Sequence, residues 1–220
     1  MKLKILGINA SPRGSNSQTL RLVKRALEGA EESGAETELV DLCRLDIKYC
    51  NACAVCFAKG RCIHEDDFVE LYQKILNADG LILGSPNYFH TVTAQMKTML
   101  DRMADAVHCQ LLTDKYGCSV ATAGSPSSNE VTDYLNKILV GFGANVVGQA
   151  GASPSLPGMM EAAEKEAFSL GQDLAEAIRE KKVYPDQEAV HQEMRERFKA
   201  LVEMNKDVWT HEYEHWKRMG

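Results

Sequence analysis

The stretch KILGINASPRGSNSQTL, residues Lys4–Leu20, decides the fold class of this chain. It begins with a short apolar run, continues through a loop rich in Ser, Asn, Pro and Gly, and ends where a helical pattern starts. The run predicts a strand over residues 4–8, and Leu20, Val23 and Leu27 recur at helical spacing up to a glycine at position 34. A strand, a loop and a helix in that order open an α/β fold.

The same alternation continues along the chain. Further strands are predicted over residues 37–42, 80–84, 118–123 and 146–150, and further helices over residues 65–77, 93–107, 129–142 and 161–181. The uninterrupted apolar run GLILG at 80–84 is typical of a strand buried on both faces of a parallel sheet, whereas the alternation at 37–42 indicates a strand near the edge. The sequence therefore predicts a doubly wound α/β sheet of about five parallel strands.

The last forty residues differ in character. Residues 181–220 hold eight basic and eight acidic side chains, so the net charge of −6 belongs to residues 1–180. One face of a long helix or helix pair is marked by Val190, Met194, Phe198, Leu201, Val208, Trp209, Tyr213 and Trp216. We expect a domain over residues 1–184 and a C-terminal helical extension over 185–220 that packs on the core or on another subunit.

Composition and charge exclude several classes of protein. The chain has 220 residues with 31 acidic and 25 basic side chains, a balance that argues against non-specific nucleic-acid binding. No apolar run approaches the roughly 18–20 residues that cross a bilayer, and the N-terminal run stops at Asn9, too early for a signal peptide. We expect a soluble, cytoplasmic chain with no nucleic-acid or membrane partner.

The loop after the first strand carries an anion-binding composition. In open α/β sheets ligands bind at the carboxyl ends of the strands, where this loop should lie. The hydroxyls of Ser11, Ser15, Ser17 and Thr19, the charge of Arg13 and the N–H groups of a helix N-terminus together suit a phosphate. The loop has neither a GxGxxG nor a Walker A pattern. The alternative is a polar loop in which a serine caps the helix.

At this point the chain resembles a known family. Residues 9–17 (NASPRGSNS) look like the phosphate loop of the flavodoxin-like, NAD(P)H-dependent FMN reductase superfamily. Residues 84–90 (GSPNYFH) stand where that superfamily has a Pro-x-Tyr segment lining the flavin ring, although a plain turn over the core is the alternative. A third loop, residues 122–126 (TAGSP), would close the site.

The resemblance runs from Lys2 to about Lys181 and implies a flavodoxin-like three-layer fold, bound FMN and an FMN-dependent oxidoreductase. No catalytic side chain is expected, because the flavin performs the chemistry. The FMN-binding residues that the resemblance implies are Ser11, Arg13, Ser15, Asn16, Ser17, Gln18, Thr19, Pro86, Asn87, Tyr88, Phe89, Ala123, Gly124 and Ser125.

Four of the seven cysteines lie within thirteen residues, at positions 50, 53, 56 and 62. Structural zinc usually takes two Cys pairs a dozen or more residues apart, whereas compact spacing favours a [4Fe–4S] cluster. The last gap, five residues, differs from the bacterial ferredoxin run. Zinc and cluster-free thiols are the alternatives. Cys43, Cys109 and Cys118 have apolar neighbours and are expected to be ordinary buried thiols.

The spacing is similar to the compact cysteine motif of the iron–sulfur flavoproteins, a branch of the same superfamily. The resemblance implies that Cys50, Cys53, Cys56 and Cys62 bind a [4Fe–4S] cluster, and that electrons pass through FMN and cluster between an acceptor and a reduced donor such as NAD(P)H or ferredoxin. It also implies a homodimer or homotetramer. The alternatives are an NAD(P)H-dependent FMN or quinone reductase without a cluster, and a non-enzymatic flavodoxin-like electron carrier.

Two further patterns need an interpretation. Residues 211–215 (HEYEH) match the zincin motif HExxH, but they leave no room downstream for a third ligand and have charged flanks, which favours an accidental match. Lys97, Asp101 and Arg102 lie on the helix after the Pro-x-Tyr segment. Family resemblance places that helix at a subunit contact, and a solvated face with an ion pair is the alternative.

Overall fold

The computed structural model describes residues 2–220 and contains a five-stranded, all-parallel sheet in the order β2-β1-β3-β4-β5. The strands are β1 (Lys4–Asn9), β2 (Glu36–Asp41), β3 (Gly80–Pro86), β4 (Tyr116–Thr122) and β5 (Asn145–Ala152). All five predicted strands are present, and β2 lies at the edge as its alternating pattern indicated. Strand order reverses between β1 and β3, which is where an α/β sheet opens a crevice for ligands.

Nine α-helices are formed by residues 2–220. They are α1 (Gln18–Glu32), α2 (Val55–Lys59), α3 (Phe68–Asn77), α4 (Ala94–Arg102), α5 (Ala104–His108), α6 (Ser128–Gly141), α7 (Met159–Glu180), α8 (Pro185–Met204) and α9 (Thr210–Met219). The single helix predicted over 93–107 is wrong: it breaks at Met103, whose N–H bonds to the carbonyl of Leu100. Helix α3 begins at Phe68, three residues after the predicted start at position 65, because the side chains of Asp66 and Asp67 accept hydrogen bonds from backbone N–H groups.

The sheet is covered on both faces, which makes three layers. Leu81 and Leu83 of β3 pack into one apolar cluster with α3, α4 and α6, whereas Ile82 points the other way, into the cluster formed with α1 and α7. Helices α1 and α7 touch closely: a Cβ on Gly171 would lie 1.8 Å from the carbonyl oxygen of Ala26. The fold is therefore flavodoxin-like, as predicted.

The C-terminal residues form a helix pair, α8 and α9, that packs on the domain. Phe198, Val202 and Trp216 are its buried core, whereas Val190 and Val208 are exposed and do not belong to the predicted apolar face. No helix among residues 2–220 is both long and apolar enough to cross a membrane.

One buried histidine attaches α8 to the segment between α6 and β5. His191 lies with Nε2 3.2 Å from the carbonyl oxygen of Ala144. Burial lowers the pKa of His191; Arg195 lowers it further, whereas the hydrogen bond and Glu188 raise it. The lowered pKa keeps this imidazole neutral at neutral pH.

Two of the three cysteines outside the compact cluster are buried. Cys109 and Cys118 lie in the core, and Cys43 is half-buried. Burial raises the pKa of each of these thiols, that of Cys43 to about 11. They are therefore protonated thiols at neutral pH, with little tendency to react.

Candidate functional site

A cavity of about 380 Å³ lies at the carboxyl ends of the strands. We call it the edge cavity. It is lined by Ser11, Arg13, Gln18, Thr19, Pro86, Asn87, Tyr88, Thr122, Ala123, Gly124, Pro154 and Ser155. The three loops that the sequence singled out therefore meet at one cavity, and nine of the fourteen predicted FMN-binding residues line it.

The loop after β1 supplies Ser11 and Arg13 to the lining of the edge cavity, and α1 supplies Gln18 and Thr19. Ser17 is the N-cap of α1, and its Oγ accepts a hydrogen bond from the N–H of Leu20 at 2.9 Å. Arg13 is exposed at the cavity, where its guanidinium is available to an anion. Ser15 and Asn16 are exposed outside the cavity lining. The serine cap that the sequence left as an alternative is present, and it coexists with an anion-accessible helix N-terminus.

A buried hydrogen bond joins the first loop to β4. The hydroxyls of Thr19 and Thr122 lie 2.7 Å apart. This bond holds the start of α1 against the end of β4, although the two residues are 103 positions apart in the chain. Thr122 lines the cavity. It belongs to the predicted closing loop, residues 122–126, but was not among the predicted FMN-binding residues.

The loop after β3 makes a tight turn. Tyr88 pairs with Thr91, and the two residues at the tip, Phe89 and His90, have left-handed φ values of 52° and 65°. Such backbone is uncommon outside glycine and costs energy that the surroundings must supply. Tyr88 lines the cavity, whereas Phe89 is 100% exposed at the tip and does not reach it.

An acidic side chain of α6 holds this turn in place. Asn87 donates from Nδ2 to the Ser127 carbonyl at 2.8 Å and to Glu130 at 3.0 Å, and His90 Nδ1 lies 2.9 Å from the same carboxylate. The bonds from Asn87 and His90 lower the pKa of Glu130. Ser125 contacts Ser127 at 3.0 Å and does not line the cavity.

The far wall comes from the loop after β5, which the sequence analysis missed. Pro154 and Ser155 lie in the lining, and Ser155 donates from Oγ to the carbonyl of Gly124 at 3.1 Å. A Ser-Pro-rich loop directly after the last predicted strand was the available signal. The cavity offers a guanidinium and hydroxyls at one end and Tyr88 beside backbone groups at the other, which fits the phosphate and the ring of FMN.

The compact cysteines lie on a separate loop between β2 and α3. We call residues 50–62 the cysteine loop. Cys50 and Cys53 are exposed, Cys56 and Cys62 are half-buried, and all four are free thiols. Among residues 2–220 no three His, Cys, Asp or Glu side chains converge closely enough to hold a metal ion. Four soft thiols on one short loop are nevertheless the donor set that iron–sulfur clusters use, so the chemistry of the residues fits.

The inner side of the cysteine loop rests on buried acids. Burial raises the pKa of Cys56 to about 12, and the carboxylates of Asp105 and Glu212 contribute. Asp105 accepts a hydrogen bond from the Tyr72 hydroxyl at 2.9 Å, and burial raises the pKa of Asp105. The Cys56 thiol is therefore protonated at neutral pH, and a metal that binds it must displace the proton.

The extension covers the back of the cysteine loop. Phe57 of α2 lies 4.7 Å from the ring of His108 and 4.9 Å from Trp209, centroid to centroid. Thr210 donates from Oγ1 to the carbonyl of Ala58 at 3.0 Å. The extension therefore packs on the domain of its own chain, which was one of the two options expected.

The HExxH residues take part in the contacts that hold α9 against the domain. Glu212 is buried and bonds to His108 Nδ1 at 3.1 Å, so its carboxylate is engaged in a pair. His211 packs against Gly60, and Nε2 of His215 is buried without a hydrogen-bond partner among the described residues. These contacts give the motif residues a packing role, and the accidental match stays a prediction.

Helix α4 carries one exposed ion pair and one buried charge. Lys97 pairs with Asp101 on the exposed face. Arg102 instead points inward: it pairs with Asp66, and the two side chains are only 0% and 2% exposed. Lys97 and Asp101 form the expected ion pair, and whether this exposed face meets another subunit stays a prediction. Arg102 is not on a solvated face. Removing one partner of such a buried pair typically costs about 3–5 kcal/mol.

Comparison with known proteins agrees with this geometry. Residues 3–155 match the family of NADPH-dependent FMN reductases. An iron-sulfur flavoprotein of Archaeoglobus fulgidus is 36% identical over 221 residues, which is 99% of each chain. An iron-sulfur flavoprotein of Methanocaldococcus jannaschii is 38% identical over 130 residues, covering 59% of this chain and 67% of its own.

Solved structures share the fold at lower identity. A flavone reductase superposes with a TM-score of 0.65 at 22% identity, covering 80% of this chain and 63% of its own. An NAD(P)H:quinone oxidoreductase from Methanothermobacter marburgensis gives 0.62 at 19% identity, covering 79% and 98%. With the edge cavity and the compact cysteines, the family match makes this chain an FMN-dependent oxidoreductase. It belongs to the NADPH-dependent FMN reductase family and, within it, to the iron–sulfur flavoprotein branch.

Proposed function

We propose that this oxidoreductase passes electrons between a reduced donor and an acceptor through FMN in the edge cavity and a [4Fe–4S] cluster on the cysteine loop. The observation that carries the cluster is the set of four free thiols on one loop, in a chain related over its full length to an iron-sulfur flavoprotein. Cys50, Cys53, Cys56 and Cys62 would be the ligands. A flavin can exchange two electrons and such a cluster one at a time, so the pair links a two-electron partner to a one-electron partner.

The chain's own residues would hold the flavin. Arg13 and the N-terminus of α1 would bind the phosphate, and Thr19 and Thr122 fix the loop that carries them. Tyr88 would cover the ring, and it sits on a turn that Glu130 keeps in its left-handed conformation. Because all three loops sit on rigid strand ends, the cavity needs little rearrangement to accept the cofactor.

The family of the chain indicates the chemical class of the electron donor. The family favours a nicotinamide donor, NADPH or NADH, and ferredoxin is the one-electron alternative. Membership of a reductase family supports an enzyme over the non-enzymatic carrier. We further propose a homodimer or homotetramer and a cytoplasmic location.

The test is an elemental analysis of the full chain purified without oxygen. We expect about four irons, about four acid-labile sulfides and about one FMN per chain. A Cys53→Ser variant should lose most of the iron and keep FMN, whereas Cys43→Ser, outside the loop, should keep both. FMN without iron in the wild-type chain would overturn the cluster and leave an FMN or quinone reductase with free thiols.

A further inference from the structure

The base of the cysteine loop is closed by one buried side chain. Arg102 donates from Nη1 to the carbonyl of Lys48 at 2.8 Å and to Oδ2 of Asp66 at 2.8 Å, and from Nη2 to Oδ1 of Asp66 at 3.1 Å. The N–H of Lys48 donates to Asp66 at 2.9 Å. The segment that enters the loop and the segment that leaves it are thus bonded to the same ion pair.

The guanidinium has little freedom to move. It lies over the ring of Phe68, 4.5 Å from the centroid, and its side chain is fully buried. A planar guanidinium can satisfy Asp66 with two bonds and Lys48 with a third, whereas a lysine ammonium offers only a point charge. The arrangement therefore specifies arginine on geometric grounds.

One donor of this side chain is left over. Nε of Arg102 is buried and makes no hydrogen bond to any part of the chain that the structure describes. Cys62, the last of the four compact cysteines, is close enough to this guanidinium for the two groups to interact electrostatically. A buried N–H without a partner is costly, which points to an acceptor that the described residues do not supply by themselves.

We infer that Arg102 is a positioning residue for the cysteine loop: it ties the two ends of the loop together and directs Nε–H to the sulfur of Cys62 when that thiolate is a ligand. The contact between Nε–H and the Cys62 sulfur rests on the proposed function, because it requires a bound cluster. Hydrogen bonds to ligand sulfurs withdraw electron density and raise the reduction potential of a cluster, and they hold the ligand in place.

The test compares the full-length wild-type chain with two variants, Arg102→Lys and Asp66→Asn. The matched control is Lys97→Ala on the exposed face of α4. Correct folding is first verified by circular dichroism and by FMN binding. Hydrogen exchange of residues 48–66 is then measured in metal-free protein. We expect faster exchange in both test variants and no change in the control. Arg102→Lys removes the guanidinium that joins the Lys48 carbonyl to Asp66, and Asp66→Asn removes the carboxylate that accepts from both Arg102 and the Lys48 N–H.

Loss of iron to a chelator and the midpoint potential of the cluster are the second pair of readouts. Arg102→Lys should lose iron about tenfold faster or more and shift the potential to a more negative value. Asp66→Asn should also lose iron faster but should not lower the potential, because Nε remains and a negative charge is removed.

The outcomes distinguish the proposed role of Arg102 from the proposed cluster. Wild-type exchange, iron retention and potential in Arg102→Lys would overturn the inference and leave the cluster standing. A wild-type chain without iron would overturn the cluster and the Cys62 contact with it, and the exchange measurement would then decide whether Arg102 closes the loop.

Discussion

The junction between the cysteine loop and the extension can be tested at one glycine. Gly60 ends α2 with φ 65° and ψ 18°, in the left-handed region. A Cβ at this position would lie 2.4 Å from Cε1 of His211 and 2.6 Å from both ring nitrogens. Alanine at position 60 therefore meets two separate penalties, one from its own backbone and one from α9.

The size of each penalty follows from the geometry. The left-handed backbone costs an alanine about 1–2 kcal/mol. Forcing a methyl group against a packed ring adds about 1–3 kcal/mol. Gly60→Ala should therefore lower the free energy of unfolding by about 2–5 kcal/mol. Adding His211→Ala removes the second penalty, so the double variant should be about 1–3 kcal/mol more stable than the sum of the single effects predicts.

Urea denaturation followed by tryptophan fluorescence measures these differences. Both tryptophans of the chain, Trp209 and Trp216, lie in the extension, so their signal reports on the contact itself. Gly158→Ala is the matched control: its φ is 77°, and no atom lies within 4 Å of the added Cβ. The reasoning is refuted if Gly60→Ala costs no more than the control, or if the double variant shows no recovery.

Three other predictions concern the edge cavity and the extension. Arg13→Ala should weaken FMN binding about tenfold to a hundredfold, since a charge-assisted bond contributes about 1.5–3 kcal/mol, and should leave riboflavin, which has no phosphate, unaffected in fluorescence titrations. Equal weakening of both ligands would contradict the phosphate contact. Thr122→Val should cost about 1–3 kcal/mol in thermal denaturation because it leaves the buried hydroxyl of Thr19 unpaired, and Thr122→Ser should behave like wild type. Because the pKa of His191 is lowered from its ordinary 6.5, the unfolded chain binds the proton first, so stability is lost as the pH falls below that value. In His191→Gln the fall of the urea midpoint between about pH 7 and about pH 5 should be smaller, and a fall equal to that of wild type would show that another group is responsible.

Local patterns predicted most of the fold. Apolar runs such as residues 80–84 marked strands, and helical spacing marked α1 and α7, because burial against a sheet imposes those periods on the sequence. The break at Met103 was missed, since Thr93–Val107 shows one continuous pattern and the break depends on how the turn packs. Helix α2 was missed as well, because five residues are too short for a period to show.

Within the candidate site, the sequence alone identified the loops and the chemistry they carry. The carboxyl ends of parallel strands lie at one edge of the sheet, so the hydroxyl-rich loop after β1 and the Pro-x-Tyr loop after β3 had to meet. The four closely spaced thiols are visible directly in the sequence. Only the tertiary structure decided which side chains face the cavity, that Phe89 does not, and that Thr122 joins Thr19. It also decided that Arg102 points inward to Asp66, 36 positions away. Such pairs form between residues far apart in the chain, and no local period records them, because the contact depends on how whole elements pack.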